Sequence, residues 1–160
     1  MTIKVGDKIP SLKLKHMTAN GPAEISTDEI FGGKKVVLFS VPGAFTPTCS
    51  AKHLPGYVDK AAALKAKGVD TIACIAVNDA FVMGAWGKAQ NVGDKVVMLA
   101  DGSGALAKAM GVELDLVAMG LGMRGKRFSL YAENGVVKTL NIEAPGEFKI
   151  SDADTMVGQL

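Results

Sequence analysis

With 160 residues, 48% of them apolar, 21% charged and 19 glycines, the chain is long enough to bury a sizeable core and too hydrophobic to stay disordered. Its 18 basic and 16 acidic residues leave a formal charge of +2, which is no electrostatic footprint for nucleic acid; Lys34-Lys35 and the Lys65/Lys67 pair read as solvated faces. No apolar run approaches the roughly 20 residues of a membrane span, the N-terminus lacks the apolar segment of a signal peptide, and two cysteines make no disulfide framework, so a reducing cytoplasm is expected.

Residues 11–16 (Ser-Leu-Lys-Leu-Lys-His) alternate apolar and polar, the pattern of a half-buried strand, and Asn20-Gly21-Pro22 marks a turn. Residues 27–31 form a short capped helix stopped by Gly32-Gly33. The β-branched apolar run 36–39 is a buried strand that delivers the chain to Ser40-Val41-Pro42-Gly43-Ala44-Phe45-Thr46-Pro47-Thr48-Cys49-Ser50. A helix follows over 48–67, with Leu54, Val58, Ala61 and Leu64 on one face and a kink expected at Pro55-Gly56.

Residues 69–77 are apolar enough for a central strand. Residues 79–90 read as a helix with Phe81, Val82, Ala85 and Trp86 as its apolar positions. Another buried strand at 96–100 leads to a helix over 104–110 and then to a loop-rich stretch over 111–125. Residues 126–132 and 136–142 alternate across Glu133-Asn134-Gly135, a strong hairpin signal. Ser151-Asp152-Ala153-Asp154 caps a short last helix. Strand–helix alternation followed by an antiparallel hairpin implies an α/β domain spanning 1–160, a mixed central sheet with helices on both faces. No internal repeat or interdomain linker is visible.

Chemistry concentrates at Cys49. Two prolines and a glycine restrict its loop, and Thr48 as N-cap would place the cysteine in the first helical turn, where orphan N–H groups favour an anion such as a thiolate. The bland alternative is an inert buried thiol. His53, four residues on, could act as the base of Cys49 or as a structural support; Cys74, in an apolar strand, reads as core. Arg127 lies in the first strand of the hairpin and Arg124 three residues earlier, and spacing alone does not choose between them. Gly120-Leu121-Gly122-Met123-Arg124-Gly125 satisfies G-x-G-x-x-G but leads into a strand, which is the wrong context for a dinucleotide. Two His and two Cys without ligand-like clustering argue against zinc, and the eight methionines are scattered as gap-fillers.

Pro42, Thr46 and Cys49 reproduce a P-x-x-x-T-x-x-C signature, and with Val-Pro-Gly-Ala-Phe-Thr-Pro-Thr-Cys (41–49), His53-Leu54-Pro55-Gly56, Val77-Asn78-Asp79-Ala80-Phe81 and Lys126-Arg127-Phe128-Ser129 the chain resembles the peroxiredoxins, in particular the Prx5 (type II) subfamily. The resemblance runs through nearly the whole chain. It implies a thioredoxin-like fold, no metal or organic cofactor, and a thiol peroxidase acting on hydrogen peroxide and organic hydroperoxides. In the resembled family the residue at Cys49 is peroxidatic. Thr46 would hold its hydroxyl against thiolate and peroxide, Pro42 would shield the sulfur, and Arg127 is the matching catalytic arginine. Some Prx5 relatives carry a resolving cysteine near the C-terminus; here Phe148-Lys149-Ile150-Ser151 occupies that region and no cysteine follows Cys74. A one-cysteine enzyme regenerated by glutathione/glutaredoxin or thioredoxin is therefore expected, as is a homodimer with Phe45, Phe81 and Trp86 as contact candidates. A peroxide sensor or holdase using the same cysteine is the alternative.

Overall fold

A computed structural model describes residues 1–160. Its organising element is a strand, Lys35–Ser40 (β3; the numbering below is by chain order), whose residues 36–40 are all buried. Val37 and Phe39 belong to one apolar cluster and Val36 and Leu38 to another, which is why the run is continuously apolar: both faces of the strand are covered.

Seven strands form the main sheet in the order β2-β1-β5-β4-β3-β8-β9. They are β1 (Lys13–Thr18), β2 (Gly21–Ser26), β3, β4 (Thr71–Ala76), β5 (Val97–Ala100), β8 (Phe128–Glu133) and β9 (Val136–Ile142). β3 runs parallel to β4 and β4 to β5, while β8 is antiparallel to β3 and β1 antiparallel to β5, so the sheet is mixed. The helices are α1 (Thr27–Phe31), α2 (Leu54–Asp59), α3 (Ala61–Ala66), α4 (Ala80–Ala89), α5 (Ala105–Ala109) and α6 (Ala153–Gln159). Side chains of α2, α3, α4 and α6 pack into one cluster, those of α1 and α5 into the other. Helices thus cover both faces in a thioredoxin-like arrangement. Asn134 and Gly135 turn the β8–β9 hairpin with φ of 48° and 77°, the two left-handed positions that an Asn-Gly pair adopts at low cost.

Several expectations shift. Gly21-Pro22 opens the edge strand β2 instead of remaining a turn; the edge position tolerates a proline without a donor. The stretch 111–125, expected to be loop-rich, carries a separate two-stranded sheet, β6 (Glu113–Leu116) with β7 (Gly122–Gly125), each strand only four residues long. In α4 the buried positions are Ala80, Met83, Trp86 and Gly87, while Phe81 and Ala85 face outward. The helix after Cys49 is not one kinked rod: Cys49–His53 forms a π turn, α2 starts at Leu54 with Pro55 in its first turn, and Lys60 breaks α2 from α3. A proline ring crowds the carbonyl four residues back, here that of Ala51, and a widened turn relieves that clash.

Candidate active site

The loop between β3 and the π turn is shaped by close contacts that only small residues permit. A Cβ on Gly43 would lie 2.9 Å from Arg124 Nη1 and 3.1 Å from Thr46 Cγ2, so a larger residue there would push the Arg124 guanidinium off the loop. Ala44 N donates to Asn78 Oδ1 (3.0 Å), tying the loop to the end of β4, and Phe45 takes a left-handed φ of 63° with its ring exposed, a strained choice for an aromatic. Thr48 is not the N-cap: its backbone is already helical and its side chain caps nothing. The turn starts earlier, with Ser50 N donating to the Thr46 carbonyl (3.0 Å). Thr46 Oγ1 donates to the Gly43 carbonyl (2.7 Å) and makes no hydrogen bond to the cysteine.

Cys49 is fully buried. Arg127 Nη2 donates to its Sγ at 3.1 Å, although the two residues are far apart in sequence. The pairing of Ser40 with Phe128 explains this: it sets the start of β8 beside the end of β3, where the cysteine loop leaves the sheet. A guanidinium N–H aimed at a sulfur stabilises negative charge on it. Arg124 instead donates to the carbonyls of Leu121 (2.8 Å) and Pro42 (3.2 Å), bracing the loop without reaching Cys49. Of the two arginines, Arg127 is the one on the sulfur. A small cavity of about 130 Å³ opens beside it, lined by Pro42, Thr48, Arg127, Pro145 and Phe148 among others.

His53 is buried and joined on both ring nitrogens: Nε2 meets the Ser151 carbonyl (3.0 Å) and Nδ1 meets Arg127 Nη1 (2.8 Å). A carbonyl can only accept and a guanidinium can only donate, so the ring is the neutral Nε2–H tautomer with Nδ1 as acceptor. Burial, then the Arg127 charge, lowers its pKa from 6.5 to about 3, against the raising effects of the Ser151 bond and the Glu143 and Asp152 charges. With its Nδ1 lone pair held by the guanidinium, the imidazole is a support for Arg127 and not a free base for Cys49. Its ring packs 4.9 Å from Phe39 and 4.9 Å from Phe148, and Arg127 lies over Phe148 at 5.6 Å. Cys74 is buried in β4, opposite Phe39 and Met98. Burial and the neighbouring Cys49 raise its pKa, partly offset by Arg127, so it stays a thiol.

Four further residues contribute that residue type alone does not single out: Ser50, whose hydroxyl accepts from Trp86 Nε1 (3.0 Å); Tyr57, whose hydroxyl donates to the Ser151 carbonyl (2.8 Å); Phe148; and Glu143. Only Glu143 had a usable signal, because the Asn-Gly hairpin sets the residue after β9 beside the residue before β8. No group of three or more His, Cys, Asp or Glu side chains is placed to hold a metal ion, and no helix is long and apolar enough to cross a membrane.

The chain matches the Redoxin family over residues 4–157. It is 52% identical to the chloroplastic Peroxiredoxin-2E-2 of Oryza sativa subsp. japonica, over 99% of this chain and 73% of that protein. Among solved structures, reduced Prx3 of Vibrio vulnificus in complex with hydrogen peroxide superposes with a TM-score of 0.95 at 51% identity, covering 99% of each chain. Peroxiredoxin 5 of Alvinella pompejana gives 0.86 at 35%, covering 97% of this chain and 96% of that one.

Proposed function

The chain belongs to the peroxiredoxin family, and from that premise we propose that it is a thiol peroxidase in which Cys49 is the peroxidatic residue. The observation that carries this reading is the 3.1 Å approach of Arg127 Nη2 to Cys49 Sγ, with the other guanidinium nitrogen held by His53. The Cys49 thiolate attacks one oxygen of ROOH. The S–O bond forms as O–O breaks, the departing alkoxide or hydroxide takes up a proton, and the products are Cys49–SOH and ROH. Sulfur gives up two electrons and the peroxide gains them. Arg127 spans the sulfur and the breaking bond, where charge shifts in the transition state. Thr46 Oγ1, donating to Gly43, keeps lone pairs with which to accept the peroxide O–H, and Pro42 walls the cavity against water.

The Val41–Cys49 string and the His53-Leu54-Pro55-Gly56 run support placement in the Prx5 (type II) subfamily. A one-cysteine type is supported by the burial of Cys74 in its strand and by the lack of a cysteine after it in this sequence. An external thiol therefore attacks Cys49–SOH, expelling water and leaving a mixed disulfide, and a second thiol releases Cys49. Glutathione with glutaredoxin is the first choice and thioredoxin the second, in a reducing cytoplasm. Exposed Phe45 and Phe81 suit a homodimer contact; Trp86, wholly buried, does not. The test is peroxide consumption with the glutathione/glutaredoxin and thioredoxin systems side by side. Sustained turnover with at least one, abolished by Cys49→Ser, is expected; a single oxidation that then stalls with both would point to a sensor.

A further inference from the structure

Beyond the residues that meet the sulfur, a closed ring of hydrogen bonds runs through Arg127. Its carbonyl accepts from Glu143 N (2.9 Å). Glu143 Oε2 accepts from three successive peptide N–H groups, those of Lys149, Ile150 and Ser151, each at 2.8 Å, and from Ser151 Oγ at 2.7 Å. The Ser151 carbonyl then accepts from His53 Nε2, and His53 Nδ1 accepts from the same arginine's side chain. Consecutive N–H groups converging on one anion form a nest, and here the anion is built into the chain.

We propose that Glu143, which touches neither Cys49 nor its guanidinium partner's side chain, is a positioning residue for the peroxidase reaction: it cinches residues 149–151 so that the Ser151 carbonyl selects the His53 tautomer that aims Arg127 at Cys49. The same cinch sets Phe148 against the His53 ring and beneath Arg127, where it separates the 130 Å³ cavity beside Arg127 from a larger groove of about 460 Å³ lined by Lys52, Lys60 and Asp152 among others. Four hydrogen bonds on one buried carboxylate are more than a surface loop needs for its own order. They hold a segment whose Ser151 carbonyl, also bonded by the Tyr57 hydroxyl, is tied by hydrogen bonds to the sulfur through His53 and Arg127. The orientation of a catalytic cation thus depends on a carboxylate at the far side of the ring.

This inference rests on the peroxidase reading, so its test has one readout that needs activity and one that does not. Stopped-flow oxidation of Cys49 by hydrogen peroxide is measured for wild type, Glu143→Gln, Arg127→Ala and the double variant. Glu143→Gln is expected to slow oxidation at least tenfold alone and by less than twofold in the Arg127→Ala background, because a residue acting through Arg127 has nothing left to position. Nitrogen chemical shifts of His53 are expected to report the pure Nε2–H tautomer in wild type and a mixture in Glu143→Gln, whether or not the protein turns over peroxide. A wild-type oxidation rate in Glu143→Gln, the same fractional loss in both backgrounds, or an unchanged tautomer would each overturn the proposal. Should Glu143→Gln not fold, Ser151→Ala removes one of the four bonds and carries the same cycle, with a smaller loss expected in the same direction and only when Arg127 is present. No reaction of the wild-type cysteine would defeat the peroxidase reading and leave the tautomer measurement to decide this one.

Discussion

Replacing Arg127 by alanine removes two hydrogen bonds at once: the Nη2 donor at 3.1 Å from Cys49 Sγ and the Nη1 donor at 2.8 Å from His53 Nδ1. The first acts on the rate. A single well-placed donor to charge that develops in a transition state contributes about 3 kcal/mol, so oxidation of Cys49 should slow about 100-fold or more. The second acts on stability, because a buried imidazole nitrogen left without its donor costs about 1–3 kcal/mol. Part of that returns if His53, freed from the neighbouring cation, takes a proton more readily. Arg127→Lys should recover little, since one ammonium cannot span both partners in the guanidinium's fixed geometry. Arg124→Ala is the control. It loses bonds to two backbone carbonyls and none to sulfur, so its effect should stay within about tenfold of wild type. Stopped-flow fluorescence or competition kinetics with hydrogen peroxide measures all three variants. Equal losses from Arg124→Ala and Arg127→Ala would refute the electrostatic assignment and leave only loop order as the shared cause.

Cys74→Ser should keep most turnover while lowering stability by about 1–2 kcal/mol, because it buries a hydroxyl among apolar neighbours in β4; steady-state assays and urea unfolding check both. Acid should destabilise the fold in two stages. Between 6.5 and about 3 the unfolded chain binds a proton at His53 that the folded chain refuses, so stability falls as pH drops below 6.5, by about 1.4 kcal/mol per unit. For Glu143, burial pushes the pKa up, but its bonds to Ser151, Ile150 and Lys149 outweigh that and lower it from 4.5. Its contribution is therefore present above that value and lost below it, and unfolding at stepped pH should show a shallower slope above 4.5 in His53→Gln. Finally, the π turn should open on oxidation so that a thiol can reach the sulfur. Hydrogen exchange over 48–55 should be faster in the glutathione adduct than in the reduced protein, and Pro55→Ala should slow recycling but not the first oxidation.

The fold was legible where one period dominated. Residues 36–39 announce a doubly buried strand and Asn134-Gly135 a hairpin, because burial on both faces and left-handed turn geometry each leave a local mark. The α4 face does not follow from apolar residue type: Phe81 and Ala85 point outward, while Ala80, Met83 and Gly87 join Trp86 in the core, a choice made by packing against β1 and β5 and not by composition. The β6–β7 pair leaves little local signal because each strand has only four residues and β7 begins and ends in glycine. At the site, Cys49 and its loop stand out from residue type and spacing alone, whereas the choice between Arg127 and Arg124 needed the family motif or the β3–β8 register. The Glu143 ring could not be read locally, since its partners are backbone groups of a loop, and backbone hydrogen bonds have no sequence letter.

The central claim is that Cys49 is the peroxidatic residue and discharges to an external thiol. It is tested most directly by treating the reduced protein with one equivalent of hydrogen peroxide in the presence of a sulfenic-acid trap and mapping the product by mass spectrometry. The trapped adduct should fall on Cys49, with Cys74 unmodified. A Cys49–Cys74 disulfide as the dominant product, or a Cys49 that remains reduced, would contradict the account.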